Sequence, residues 1–331
     1  EYNENGNLLK LQQIYNGKLN WETNYSYSNS QRIGLFQTYY NDGKDYSKKE
    51  IRTYNLFSLL NDISAQLCYK LDTIMVASFI GFTQTGIYTS MIFMANVMII
   101  PSGSIMRISN PIVATHMAEN NYSEVEILYK KVSVTSLISG IVLFLFIWFM
   151  FEDVLSITKY SSQLKIGKIV FLIIALSNIF DMLTSINSDI LVYSKLYKYN
   201  IVFILFLGVG NIVFNLIFIP KYGFEGAAIA SLLVVGLYNI SKLIFIYVKL
   251  NMHPFTKKTV VLFLIAGINF LVLNIIPDFN IENIYLLLIV KTIVTSGILL
   301  TLYVLPIYYF RISDDVNKLV DKFVVNRFIK K

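Results

Sequence analysis

The residues in this sequence best placed to do chemistry are charges set inside apolar runs. Asp72 stands in Cys68-Tyr69-Lys70-Leu71-Asp72-Thr73-Ile74-Met75-Val76-Ala77-Ser78-Phe79-Ile80-Gly81. An ionised carboxylate at the centre of a bilayer costs roughly 2.5–3.5 kcal/mol on insertion scales. Such residues face a protein interior or a water-filled cavity, and they move or bind something. On a helical projection Asn61 and Asp72 fall almost on one line, with Ser58, Tyr69, Asp62, Asn55, Thr73, Gln66 and Lys70 in the adjacent half. Leu60, Leu67, Leu71, Ile74 and Met75 fill the other half. Interhelical hydrogen bonding alone would account for some of this polar face. Two carboxylates and a lysine exceed what packing needs, so the face is expected to line a cavity. Further along, Arg107 lies between Pro101 and Pro111, two prolines expected to bend their helix. Asn178, Asp181, Asn187 and Asp189 share another apolar run, with Asp181 near its middle and Asp189 toward an interface. Together these groups suggest a hydrophilic space between helices.

The elements that position them are long apolar segments. Of 331 residues, 55% are hydrophobic and only 15% charged, against about a quarter charged in soluble domains. Mean hydropathy is +0.56. The expectation is an all-α membrane protein with eight spans, at roughly 52–80, 84–114, 132–151, 166–193, 199–219, 224–248, 259–277 and 284–309. Residues 1–50 are polar and form a tail or linker, and a basic tail closes the chain over 311–331. The chain opens at Glu1 rather than Met and carries no signal-peptide core near its start, so a preceding N-terminal part is expected.

Net charge is +7, and the basic residues lie mostly between or beyond the apolar runs. Basic loops alternate with poor ones: Lys44, Lys48, Lys49 and Arg52; Lys130 and Lys131; Lys195 and Lys198; Lys249, Lys257 and Lys258; then the C-terminal tail. The intervening loops at 81–84 and 277–283 have almost none. The positive-inside rule therefore puts both termini in the cytoplasm, and no nucleic-acid-binding patch is visible. Cys68 is the only cysteine, which excludes an intrachain disulfide and a cysteine metal site. His116 and His253 are far apart and read as loop-end residues. There is no HExxH, no Gly-x-Ser-x-Gly elbow and no P-loop, so neither an enzyme nor a cofactor is expected. Gly208-Val209-Gly210 lies inside an apolar run and reads as a close helix contact.

Two stretches carry a resemblance. Lys70 to Gly81, followed by Gly86-Ile87-Tyr88, is similar to the opening of a lobe in the multidrug/oligosaccharidyl-lipid/polysaccharide (MOP) exporter superfamily. Asn215 to Ser231, through Ile219-Pro220-Lys221-Tyr222-Gly223 and Gly226-Ala227-Ala228, resembles a signature of its polysaccharide (O-antigen, Wzx-type) flippases. In that signature Pro220 is expected to end a span and Gly223 to permit a tight reversal. Glu126-Ile127-Leu128-Tyr129-Lys130-Lys131 is similar to a cytoplasmic loop of such a lobe. The resemblance implies a six-helix MATE-like lobe over 51–250, the second of two, followed by an extra helix pair over 251–310. Residues 1–50 would then connect the lobes.

The function so implied is transport of undecaprenyl-diphosphate-linked oligosaccharide across a bacterial cytoplasmic membrane, for O-antigen, capsule or exopolysaccharide synthesis. Arg107 and Lys70 would meet the diphosphate, with Asn61 and Gln66 also on the substrate. Asp72, Asp62, Asp181 and Asn178 would couple an ion or line the cavity, although Asp72 could instead pair with Lys70 or Arg107. The partners implied are the lipid-linked glycan, the bilayer, and a glycan polymerase with its chain-length protein. Two other functions stay open: a cation-coupled multidrug exporter, and a membrane glycan polymerase or ligase. The second is disfavoured by external loops that are short and, around 152–165, free of Arg and His.

Overall fold

The structure is a computed structural model that describes residues 70–276, 279 and 281–322, together with short strands nearer the N-terminus. The chain divides into two compact units, Glu1–Ser64 and Ala65–Lys331. In the first, β1 (Lys10–Tyr15), β2 (Lys18–Asn24) and β5 (Gln37–Tyr40) form an antiparallel sheet in the order β1-β2-β5. The short strands β3 (Tyr27–Ser28) and β4 (Gln31–Arg32) pair separately. The stretch expected to be a polar tail or linker thus contains short strands.

In the second unit all regular structure among the described residues is helical. The elements are α1 (helical over 70–80), α2 (Phe82–Asn96), α3 (Ile99–Ala118), α4 (Tyr122–Ser156), α5 (Ser161–Lys165), α6 (Lys168–Thr184), α7 (Asn187–Val192) and α8 (Tyr197–Leu250). They continue with α9 (Lys257–Ile275), α10 (Ile284–Ile298), a π-helical stretch (Leu299–Val304), α11 (Leu305–Tyr309) and α12 (Asp314–Val320). Four of the described helices are long and apolar enough to cross a membrane, or five if the bent pair α2–α3 is one span. This is the helix set of a membrane protein. α4 is central, with 61% of its most apolar window buried, against 11% for the 284–309 span at the periphery.

The breaks have local causes. α2 and α3 meet at 51° across residues 97–98. Pro101 lies four residues after Val97, whose carbonyl it cannot reach as a donor and which its ring crowds, so the helix parts there. Asn178 of α6 covers the joint, donating to the Ala95 carbonyl at 3.1 Å. The helix runs on through Pro111. Between α6 and α7 the chain turns at Ser185, in an unusual φ 40, ψ −104 conformation. Ser133 of α4 grips this end by donating to the Leu183 carbonyl at 2.6 Å. The π-helical stretch is tied down in the same way, with the Asn269 amide reaching the Leu302 carbonyl at 2.8 Å.

α8 contains 54 residues and is not straight. The rings of Tyr199 and Phe245 pack at a tilt with centroids 5.1 Å apart, whereas 46 residues of continuous helix would separate them by about 70 Å. The helix folds back at Gly223, whose φ of 63 suits a residue without Cβ. The reversal falls three residues beyond Pro220, which remains inside the helix instead of ending it. At Gly226 a Cβ would collide with the Phe218 carbonyl, so glycine lets the two halves touch. Further along, Ile204 and Leu207 pack on Val234 and Tyr238. Gly210 lies against Val234, the close contact expected of the Gly-x-Gly pair.

Candidate functional site: two buried charge clusters

Asp72 points into the helical unit and is 7% exposed, while Ile74 on the opposite side of α1 is 57% exposed. One carboxylate oxygen accepts from the Tyr88 hydroxyl of α2 at 2.7 Å and from the Ser231 hydroxyl of α8 at 3.2 Å. The other accepts from the Thr73 amide at 2.7 Å. Neither Lys70 nor Arg107 pairs with it among the described residues; both are exposed. The carboxylate is therefore braced by hydroxyls drawn from two other elements. Tyr88 stands seven residues past Gly81, and Ser231 eight past Gly223, so the cluster lies about 10–13 Å from these turns. The turns are neighbours: the nearest atom to a Cβ built on Gly223 belongs to Ile80, at 3.9 Å.

The second cluster forms toward the other end of α8. Asp181 accepts from the Asn239 amide at 3.2 Å, and the Asn239 carbonyl accepts from the Asn187 amide at 3.2 Å. Three residues on, Lys242 donates to Ser188 Oγ at 2.6 Å and to the Tyr238 hydroxyl. Its Nζ also lies 4.1 Å from the centre of the Tyr238 ring. Lys242 is fully buried, and Asn239 and Asn187 nearly so. Asp181 and Asp189 are the carboxylates whose charge acts on it.

Of the expected site residues, Asp181 and Asp72 thus belong to different clusters, and Asn178 serves the α2–α3 joint. Asn61, Asp62 and Gln66 lie outside the described residues. Lys242 is the residue that sequence reading passed over. Its signal was there: Tyr238, Asn239 and Lys242 share one helical stripe, with Lys242 eight residues before α8 ends at Leu250. Charge pairing elsewhere ties α4 to the C-terminal helices, with Asp153 to Lys291 at 3.0 Å and Lys131 to Asp315 at 2.9 Å. Both histidines sit at helix ends or loops as expected, His116 in the last turn of α3 and His253 after α8. A groove between α2 and α4, lined by Phe93, Met94, Val97, Phe146, Met150 and Phe151, is wholly apolar. Compared with known proteins, the chain matches no family model, no curated protein and no solved structure.

Proposed function

We propose that this chain is a membrane carrier for a polyprenyl-diphosphate-linked oligosaccharide, a lobe of the polysaccharide flippase type working by alternating access in a bacterial cytoplasmic membrane. The observation that carries the reading is the placing of buried charges against broken helices. Asp181, Asp189 and Lys242 surround the α6–α7 joint, and Asp72 sits where α1, α2 and α8 converge. Irregular backbone beside intramembrane charge is how carriers build sites that rearrange. On this reading there are eight spans: the run over 52–80, of which only α1 lies within the described residues, then α2–α3, α4, α6–α7, each half of α8, α9, and α10–α11. The first six form the lobe over 51–250, and the last two the extra pair over 251–310. Both chain ends face the cytoplasm.

Arg107 and Lys70 are exposed on this unit and free to meet an anionic diphosphate, which a guanidinium can grip in bidentate fashion. The prenyl tail stays in lipid and the glycan crosses between lobes. No step makes or breaks a covalent bond, so no cofactor is required. The glycan polymerase and chain-length proteins would act downstream on the delivered substrate.

The test is translocation of a lipid-linked oligosaccharide in membrane vesicles carrying the full-length protein, scored by accessibility of the glycan to an added lectin. Arg107→Ala and Asp72→Asn are expected to slow it at least tenfold. Wild-type rates in both would remove these roles. Absence of glycan transport together with efflux of amphipathic cations would replace the reading with that of a multidrug exporter.

A further inference from the structure

The last turns of α8 and the loop after it form a groove that the carrier reading leaves unused. Leu243, Ile244 and Tyr247 of α8 line it, with His253 and Phe255 of the loop. Its volume is about 390 Å³, within the roughly 300–1,000 Å³ of small-ligand sites. The walls are almost wholly apolar. His253 turns one ring nitrogen to Glu126 at 3.8 Å and sets its ring beside that of Tyr247, with centroids 6.4 Å apart. Ile244, Tyr247 and Phe255 remain exposed. Residues 251–256 join two helices that are each long and apolar enough to cross a membrane. The groove lies within about 10 Å of the end of α8, at the level where these spans leave the bilayer.

A row of cations starts at the rim of the groove. Two residues after Phe255 comes Lys257 and then Lys258, in the first turn of α9. Lys258 donates to the Arg311 carbonyl at 3.0 Å, which brings the end of α11 against α9. All three side chains are exposed, as is Lys249 in the last turn of α8. None of the four forms an ion pair with a carboxylate among the described residues. Acidic groups on the neighbouring elements are engaged elsewhere. Glu126 of α4 pairs with Lys130 at 2.7 Å, Asp315 of α12 with Lys131 at 2.9 Å, and Asp321 accepts from the Tyr308 hydroxyl at 2.6 Å. Asp314, at the start of α12, is exposed to solvent.

Folding does not account for these cations. A helix disfavours positive charge in its first turn, yet α9 opens with two lysines and no acid. Arg311 sits at φ 47, a conformation that the residue after a helix usually meets with Gly or Asn. Its guanidinium is kept here against the preference of the backbone. The positive-inside rule asks for cations in such a loop but not at these two positions.

We propose that this corner binds an anionic phospholipid, one acyl chain lying in the groove and the phosphate held by Lys257 and Arg311. Such an amphiphile answers both halves of the site. A soluble anion would leave the groove unfilled, and a neutral lipid would leave the cations unpaired. Seated there, the lipid bridges α8 to α9 and α11, across the seam between the expected lobe and the helix pair that follows it. The inference needs a membrane-spanning chain and does not rest on the cargo proposed above.

The experiment is native mass spectrometry of the full chain in detergent with equal amounts of dioleoyl phosphatidylglycerol and dioleoyl phosphatidylcholine. The wild type is expected to retain one phosphatidylglycerol in about tenfold preference. The double variant Lys257→Gln/Arg311→Asn should bring the ratio close to one, asparagine being suited to the backbone at position 311. Lys159→Gln, in the loop between α4 and α5, should leave the preference intact. Equal retention of the two lipids by the wild type would overturn the proposal. So would a preference that survives in the double variant or falls as far in Lys159→Gln, since charge in general would then be responsible. A competition on the wild type tests the groove without any variant. Glycerol 3-phosphate should fail to displace the bound lipid at equal concentration, and displacement would mean that the groove holds no chain. Displacement by an equal amount of polyprenyl diphosphate would give the groove to the cargo and overturn the phospholipid as its occupant.

Discussion

The two charge clusters lie toward opposite ends of the α8 hairpin and are built on different plans. At Asp72 one carboxylate is shared between hydroxyls of α2 and α8, and each of those bonds braces a different element. At Lys242 charges of both signs are linked through amides and hydroxyls, and the bonds bracket one strained joint. A hydroxyl brace weakens by steps, because losing one donor leaves another. A sealed lysine cannot fail gradually, because its loss removes at once the positive charge that acts on Asp181. The contrast marks the Asp72 end as a place where helices are held together, and the Lys242 end as one where a single charge decides the local structure.

Removing the lysine should give the largest effect. Lys242→Met is expected to cost about 3–5 kcal/mol of stability by leaving uncompensated buried charge, read by thermal or denaturant unfolding in detergent. Adding Asp181→Asn should return a substantial part of that loss. No recovery in the double variant would mean that the lysine acts through packing and not charge. Tyr88→Phe removes the shorter hydroxyl bond to Asp72 and should cost about 1.5–3 kcal/mol in the same measurement. Ser231→Ala removes the longer bond and should cost about 0.5–1.5 kcal/mol, the range of ordinary hydrogen bonds. If Ser231→Ala equalled Tyr88→Phe, the two donors would be acting as one unit and the picture of stepwise weakening would be wrong.

Much of the fold could be read from residue pattern. Beyond residue 70 the apolar runs overlap the described helices, although four or five of these are long and apolar enough to cross a membrane where eight spans were expected, and Gly223 reverses the chain where Pro220-Lys221-Tyr222-Gly223 announces a turn. The inward face of α1 was legible at Asp72 because apolar residues such as Ile74 crowd the other side. The α6–α7 joint was harder, because it contains neither Gly nor Pro; Thr184-Ser185-Ile186-Asn187-Ser188 breaks through polar side chains that find partners on other helices. Partnerships were not legible at all. Tyr88 reaches Asp72 across sixteen positions and Ser231 across 159, separations that only the packed helices bring together. Lys242 escaped notice for a related reason: a lone lysine near a basic helix end reads as one that stretches its amine to the interface. Here Tyr238 and Ser188 hold the amine inside instead.

The reversal at Gly223 bears on how the protein is made. With no loop between its halves, the first half of α8 has no room to await its partner as a finished span. Its buried face carries Asn200, Asn211 and Asn215, which lipid alone would not satisfy. The two halves would leave the ribosome in succession and enter the bilayer together, pairing during insertion. A side chain at Gly226 would then be felt first in biogenesis, as nascent chain that fails to integrate, before any folded protein exists to be assayed.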